Sequence, residues 1–238
     1  MFLLISASGN SFRERQMEFP RVKQAYEEKS ESTRNLLAKH KISFQELELY
    51  IRAFKSEKKI ELWAKNRSDD TFTLVREYEV LNSTGGPGPK RKQGDKQTPE
   101  GLYYIERFNP KSKYYLSLGI NYPNASDLAF ADKDNPGGDI FIHGGKETVG
   151  CLPIGDDSIR ELYLLCVEAR NAGQDRIPVH IFPAKPASEY MAKLQADYKH
   201  KDDYLHLWEE LKIAFVLFEQ ARRIPKIIFK EDGSHEVK

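Results

Sequence analysis

Three consecutive segments with alternating apolar residues constrain the fold of this 238-residue chain more than any other feature. Apolar side chains alternate from Tyr50 to Phe54 and again from Ile60 to Ala64, and a third such segment runs from Phe72 to Val80. A period of two is typical of a β-strand that buries one of its faces. The pattern therefore predicts a β-meander in the first third of the chain.

A stretch rich in glycine and proline, residues 83–101, follows the predicted meander. It is too rich in these residues for regular structure and too long to be a tight turn, so we expect a loop of the kind that often borders an active site. It lacks the Gly-x-x-x-x-Gly-Lys-Ser/Thr spacing of a phosphate-binding loop. Residues 102–108 and 114–118 predict two further strands beyond it.

Composition and charge exclude several classes of function. Lys and Arg number 37 against 36 Asp and Glu, so the formal net charge of +1 provides no field that would hold nucleic acid. No apolar run approaches the length of a membrane span. The histidines lie on stretches without a clear set of metal-ligand neighbours, and we predict neither a metal nor a cofactor. Cys166 falls at helical spacing with Ile159, Leu162 and Leu165, which predicts a buried thiol.

Residues 139–155 hold the best chemical pair in the chain, a histidine and a cysteine. The run Ile140 to Ile142 suits a buried strand, so His143 is expected at the strand end with its imidazole exposed. Gly150 lets the backbone at Cys151 approach a substrate closely. An imidazole within hydrogen-bond reach activates a thiol as a nucleophile, so the pair predicts acyl transfer. The alternative is a buried sheet histidine and an inert thiol.

The same stretch resembles the signature of the L,D-transpeptidase catalytic domain (YkuD-type) family, cysteine enzymes that act on bacterial peptidoglycan. His143-Gly144 matches the base of that family, and the segment from Thr148 to Cys151 matches its Ser/Thr-x-Gly-Cys nucleophile motif. The commonest form of the family has a second histidine where this chain has Val149, and a longer gap between base and nucleophile. In this chain Val-Gly-Cys follows closely after His-Gly-Gly, and this short gap resembles the spacing in the YafK-type murein branch of the family.

Segments outside the motif extend the resemblance over roughly residues 45 to 225. They include Thr98-Pro99-Glu100-Gly101 and a closing strand at 177–183. The resemblance implies a mainly β fold with peripheral helices (α+β), built as a β-sandwich or flattened barrel. It divides the chain into an N-terminal segment (1–44), a catalytic domain (45–185) and a C-terminal helical extension (186–238).

The resemblance also implies roles for individual residues. Cys151 would attack the carbonyl at the L-centre of a diamino acid in a peptidoglycan stem peptide, and His143 would accept and donate the proton. The carbonyl of Gly144 would orient the imidazole, and the amides at Gly150 and Cys151 would form the oxyanion region. Thr148 would support the loop that carries Cys151 and would contact the substrate. An amine would then resolve the thioester and form a cross-link.

Several alternatives remain open from the sequence. Water could resolve the thioester, which would trim stems or release a protein attached to murein, and the YafK-type resemblance favours this hydrolysis. A papain-like wall endopeptidase is disfavoured, because its cysteine normally precedes its histidine in the chain. A catalytically silent wall-binding module is a further alternative. Lys90 and Arg91 are predicted to contact stem-peptide carboxylates, or else to be a solvated part of the loop.

Two further predictions concern His180 and the start of the chain. His180 either lies beside the active site or forms a hydrogen bond within the sheet. Residues 1–8 begin with the apolar run Met1 to Ile5 and are either a signal remnant or an ordinary terminus, since that run is shorter than the ~7 to 15 residues of a secretory signal and no positive charge precedes it. Because peptidoglycan lies outside the cytoplasmic membrane, the resemblance requires export to the periplasm or cell envelope.

Overall fold

A computed structural model of the chain describes residues 10–238, so the proposed signal remnant at residues 1–8 lies outside the described residues. The described part contains six helices, ten strands and a short 3₁₀ turn at Phe44–Glu46. The helices are α1 (Phe12–Met17), α2 (Pro20–Ala38), α3 (Ala125–Phe130), α4 (Gly155–Asn171), α5 (Glu189–Asp197) and α6 (Asp202–Ala221). The strands are β1 (Leu47–Phe54), β2 (Lys59–Asn66), β3 (Thr73–Glu79), β4 (Gly101–Asn109), β5 (Ser117–Ile120), β6 (Phe141–His143), β7 (Leu152–Pro153), β8 (Pro178–Phe182), β9 (Ile227–Phe229) and β10 (His235–Val237).

Eight of the strands form one curled sheet, a half-barrel, in the order β3-β2-β1-β8-β4-β5-β6-β7. The first three strands pair antiparallel as neighbours, which confirms the predicted meander. Two pairs are parallel, β1 with β8 and β6 with β7, and the others are antiparallel. The architecture confirms the expected mainly β fold with peripheral helices, while the three-segment division of the chain stays a prediction.

The two faces of the sheet bury different helices, because successive side chains of a strand point to opposite faces. On β1, Leu49 and Ile51 join the large core that α4 and α2 cover, whereas Tyr50 and Phe54 pack toward α6. Cys166 on α4 is fully buried in the first core, as its spacing predicted. The sheet is thus a layer between helices, and its β6–β7 edge carries the histidine–cysteine pair.

A buried carboxylate ties the loop 83–101 to the second face of the sheet. Glu100 is 1% exposed and accepts hydrogen bonds from Lys55 Nζ at 2.8 Å, from the Gly88 amide at 3.0 Å and from Trp208 Nε1 at 2.7 Å. Trp208 itself is 2% exposed, so it is a core residue of α6. One side chain thereby fixes the loop, β4 and α6 relative to one another.

The structure corrects one local prediction and adds a hairpin near the end of the chain. The strand expected at 114–118 begins only at Ser117, because Tyr115 adopts a left-handed backbone with φ of 70° that interrupts an extended chain. Helix α4 begins at Gly155, with Asp156 and Asp157 in its first turn. The hairpin β9–β10 at 227–237 was not predicted. Within residues 10–238, no helix combines the length and apolar character needed to cross a membrane.

Candidate active site

His143 and Cys151 line the same cavity, of about 300 Å³, at the edge of the sheet. His143 is the last residue of β6, and Cys151 immediately precedes β7, which pairs with β6 in parallel. The short connection between these paired strands brings the two side chains into one cavity, while their roles as base and nucleophile stay predictions. The other residues that line it are Asn109, Ser112, Lys113, Tyr114, Ser117, Asp139, Phe141, Thr148 and Val149.

The imidazole of His143 is buried and oriented. Its Nδ1 lies 2.6 Å from the carbonyl oxygen of Gly144, and its ring stacks on Tyr114 with 4.5 Å between centroids. The expected exposure of this imidazole was wrong, because Tyr114 covers it and leaves the residue 1% exposed. Burial lowers the pKa of His143, although the bond to Gly144 opposes that shift. The ring is therefore neutral at pH 7, and Nδ1–H donates to Gly144, which assigns the lone pair to Nε2.

Nε2 of His143 is available for proton transfer. It is buried, and within residues 10–238 it has no hydrogen-bond partner. This nitrogen is the one that a general base in the cavity would use.

The Cys151 thiol is protonated in this arrangement. Burial raises its pKa, the charge of Asp139 adds to that effect, and the Phe141 amide and the charge of Lys90 oppose it. The Phe141 amide donates to Sγ at 3.4 Å, and the thiol donates to the Asp139 carbonyl at 3.6 Å. The thiol and the imidazole line one cavity, but Sγ forms no hydrogen bond with Nε2 in this arrangement. Because both groups are neutral, attack by Cys151 would require proton transfer during the step and not a preformed thiolate.

Two threonine hydroxyls hold the turn that carries the nucleophile. Thr148 Oγ1 accepts from the Cys151 amide and donates to the Cys151 carbonyl, both at 2.9 Å. Thr84 Oγ1 accepts from the Gly150 amide at 2.8 Å and donates to the Lys96 carbonyl at 2.8 Å. Both amides predicted to stabilise an oxyanion thus already have acceptors. Their oxyanion role stays a prediction, and it requires these hydroxyls to release them.

Gly150 is required where the loop 83–101 meets the nucleophile turn. Its φ is +87°, and a β-carbon there would lie 2.6 Å from the carbonyl oxygen of Gln97. The sequence suggested that this glycine admits a substrate, but its close neighbour is the chain's own loop. The loop therefore forms a wall behind the nucleophile, as a border of the site.

The start of α4 fixes the turn after His143. A β-carbon on Gly144 would lie 2.5 Å from Asp156 Oδ1 and 2.8 Å from the Tyr114 carbonyl oxygen, so only glycine fits. The same Asp156 oxygen accepts from the Gly145 amide at 2.7 Å. The carbonyl that orients the imidazole is consequently held by the helix and by the turn before β5.

Lys90 and Arg91 have partners within the chain. Lys90 is 5% exposed, and its ammonium lies 2.7 Å from Asp95 Oδ1. Arg91 lies over the ring of Phe130, with a longer contact of 3.9 Å to Asp127. Neither belongs to the described residues that line the cavity. Their contact with stem-peptide carboxylates stays a prediction.

His180 is a structural residue on the other face of the sheet. It is 3% exposed, and its Nδ1 lies 2.7 Å from the Tyr50 hydroxyl. Burial, with a contribution from the charge of Arg52, lowers the pKa of His180 to about 3. The ring stays neutral at physiological pH, in agreement with the structural alternative considered for it. No set of three or more His, Cys, Asp or Glu side chains in the described part of the chain is arranged to hold a metal ion.

Sequence reasoning missed three residues of the site. Tyr114 covers the base, and Ser117 pairs with His143 across β5 and β6, so both side chains lie on one face of the sheet. Asp139 presents its carbonyl to the thiol from a left-handed backbone with φ of 55°, and its carboxylate pairs with Arg107 at 2.9 Å. Of the three residues, only Asp139 could have been noticed in the sequence, because it immediately precedes the predicted strand from Ile140 to Ile142.

Comparisons with known proteins identify the family of this chain. The sequence profile of the L,D-transpeptidase catalytic domain (YkuD) matches residues 48–181. The chain is 30% identical over 218 residues to the Escherichia coli K12 protein named "Putative L,D-transpeptidase YafK", and the match covers 87% of this chain and 84% of that protein. The protein of the same name from Escherichia coli O157:H7 matches this chain with the same identity and the same coverage.

Among solved structures, the helical cell shape determining protein Pgp2 from Campylobacter jejuni is similar at 18% sequence identity and a TM-score of 0.45. The similarity covers 78% of this chain and 74% of Pgp2. The profile match includes more than half of the chain and contains both His143 and Cys151. The chain belongs to the L,D-transpeptidase catalytic domain family, whose members act on peptidoglycan.

Proposed function

We propose that this protein is a cysteine L,D-transpeptidase that forms a thioester at the L-centre of a stem-peptide diamino acid. Cys151 is the nucleophile and His143 is the general base and acid. The single observation that carries the proposal is the free Nε2 of His143, which lines one cavity with the Cys151 thiol and, within residues 10–238, has no other partner. Membership of the family supplies the substrate class.

Acylation proceeds from the neutral pair. The Cys151 thiol gives its proton to Nε2 of His143 as Sγ attacks the carbonyl carbon, and the carbonyl becomes an oxyanion. The oxyanion collapses, the C–N bond breaks, and the imidazolium of His143 protonates the leaving amine. Gly144 holds the ring in the tautomer that this transfer needs, because its carbonyl accepts from Nδ1–H.

Deacylation reverses these roles. A side-chain amine of a second stem, or water, attacks the thioester while His143 takes its proton. The C–S bond breaks, and the thiolate of Cys151 recovers the proton. An amine acceptor gives a cross-link, and water gives a trimmed stem or the release of a protein attached to murein. We place transpeptidation first, and hydrolysis is the alternative.

Residues around the pair have supporting roles in this proposal. Thr148 fixes the backbone of Cys151 through both of its hydrogen bonds, and it lines the cavity. The amide of Gly150 serves the oxyanion once Thr84 releases it. Lys90 and Arg91 contact stem-peptide carboxylates from the loop. Because the substrate lies outside the cytoplasmic membrane, the protein acts in the periplasm or cell envelope.

The proposal is tested by incubating the protein with purified disaccharide-tetrapeptides and with diaminopimelate- or lysine-linked muropeptides. Mass spectrometry of the products distinguishes dimers joined 3-3 from loss of a D-amino acid or linked peptide with water added. Cys151→Ala is the inactive variant, and Cys166→Ala is the matched control because that thiol is buried away from the cavity. No change that depends on Cys151 would contradict the proposal.

A separate experiment tests the alternative that the protein is a catalytically silent wall-binding module. A carbapenem acylates an activated cysteine, so we expect the wild-type protein and Cys166→Ala to gain one adduct each. Cys151→Ala should gain none. An intact protein that binds peptidoglycan but gains no adduct would favour the binding module.

A further inference from the structure

Lys113 is the lysine among the residues that line the active-site cavity, and the proposed mechanism does not use it. It lines the cavity together with His143 and Cys151. Lys113 is exposed, and the ion pairs among residues 10–238 do not include it, whereas the other formally charged side chain of the cavity, Asp139, pairs with Arg107. We propose that Lys113 binds a free carboxylate of the stem peptide next to the scissile bond, an inference that rests on the proposed function.

The other charges of the cavity are compensated. The carboxylate of Asp139 pairs with Arg107 at 2.9 Å, and that guanidinium also lies over the ring of Phe141 at 4.9 Å. Burial keeps His143 neutral, and burial also keeps the Cys151 thiol protonated. Lys113 is thus the lining side chain that offers an incoming peptide a solvent-accessible positive charge without an ion-pair partner among the described residues, and a carboxylate is the group in a stem peptide that complements it.

The backbone on both sides of Lys113 is anchored. The guanidinium of Arg21 donates to the carbonyl oxygens of Ser112 at 2.5 Å and Tyr115 at 2.7 Å. The Tyr114 amide donates to Ser112 Oγ at 3.1 Å, and the Tyr114 ring stacks on the imidazole of the base. A lysine held between such neighbours loses less freedom on binding, because its main chain is already ordered.

The size of the cavity limits what it holds. A volume of about 300 Å³ lies at the lower end of ligand sites, so it accommodates a short piece of peptide. Under the proposed function that piece carries the scissile carbonyl at Cys151. Two carboxylates of a stem peptide lie near this bond: the terminal carboxylate of the leaving D-amino acid and the side-chain carboxylate of the diamino acid. Both offer the same chemistry to an ammonium group.

Steady-state kinetics with three tetrapeptide substrates test the inference and separate these two sources. One substrate has both carboxylates free, one has the terminal carboxylate converted to an amide, and one has the diamino-acid carboxylate converted to an amide. For the free substrate we expect Lys113→Gln to raise KM about fivefold with kcat nearly unchanged, as for a partly exposed ion pair. For the substrate that lacks the recognised carboxylate, wild type and Lys113→Gln should have equal KM.

Two further variants control for folding and for general charge. Lys113→Arg keeps the positive charge and should retain most of the affinity. Lys111→Gln removes a lysine that lies over Phe19 and outside the cavity, so it should leave KM unchanged. The inference is overturned if Lys113→Gln leaves KM for the free substrate unaltered, or alters KM equally for all three substrates. If wild type converts none of them, the proposed function itself fails, and this inference fails with it.

Discussion

The substitution Glu100→Gln tests whether one buried carboxylate holds the loop behind the nucleophile. Glu100 accepts three hydrogen bonds, from Lys55, the Gly88 amide and Trp208. The glutamine has nearly the same shape, but it carries no charge and offers a single acceptor oxygen. At least one buried donor therefore loses its partner, and the Lys55 ammonium loses its counter-ion.

The expected loss of stability follows from these contacts. An unpaired buried donor costs about 1–3 kcal/mol, and breaking a buried ion pair costs about 3–5 kcal/mol. Lys55 keeps the carbonyl oxygens of Gly88 and Thr98, at 2.9 and 2.8 Å, so the charge is only partly stranded. We expect the free energy of unfolding to fall by about 3 kcal/mol, toward the lower end of the buried-pair range.

Urea unfolding followed by circular dichroism measures this change. Glu209→Gln is the matched control, because Glu209 also pairs with a lysine, Lys212, at 3.0 Å, but both side chains are about half exposed. An exposed pair of this kind contributes at most about 0.5 kcal/mol. We also expect Glu100→Gln to slow acylation of Cys151, since the loop packs on Gly150. If the two variants unfold within about 0.5 kcal/mol of each other, the assignment of Glu100 as the anchor of the loop is refuted.

Three further predictions concern the site itself. Thr148→Val removes both hydrogen bonds to the Cys151 backbone and should slow carbapenem acylation about tenfold, whereas Thr148→Ser should stay near wild type. Equal acylation rates for Thr148→Val and wild type would contradict the role of the hydroxyl. Because the imidazole must be neutral to accept a proton, acylation should be lost only as pH falls through the lowered pKa of His143. Tyr114→Ala should expose the ring, raise that pKa and move the acidic limb of the pH–rate profile to higher pH. An unmoved limb would show that Tyr114 does not set the burial of His143. Cys166 is fully buried, whereas Cys151 is partly exposed and lines the cavity, so iodoacetamide should modify only Cys151 in the folded protein. Two labelled thiols in the mass spectrum would contradict this.

Local patterns explain which features were predictable. The alternation between Tyr50 and Val80 determines which side chains face the core, and three neighbouring strands connected by short turns pair with one another. The histidine at a strand end and the glycine before Cys151 are likewise features of adjacent residues. Their eight-residue separation keeps them close in any fold that pairs the two strands, which is why sequence reasoning found both members of the pair.

Features that depend on distant residues were not predictable. His143 was expected to be exposed, but Tyr114 covers it from a turn 29 positions earlier in the chain, and the pairing of β5 with β6 sets that contact. The same holds for Glu100 and Trp208, which are 108 positions apart. The hydroxyl of Thr84 reaches the Gly150 amide across 66 positions.

The sequence by itself determined the three strands of the meander and the helical packing of Cys166, and it singled out His143 and Cys151 as a candidate pair, because these follow from periodicity and from the chemistry of neighbouring residues. The tertiary structure alone decided the protonation state of the pair, since burial sets the pKa of each group and burial is the sum of contacts from remote segments. It also decided which amides already have acceptors and which charge in the cavity, that of Lys113, lacks a partner among the described residues.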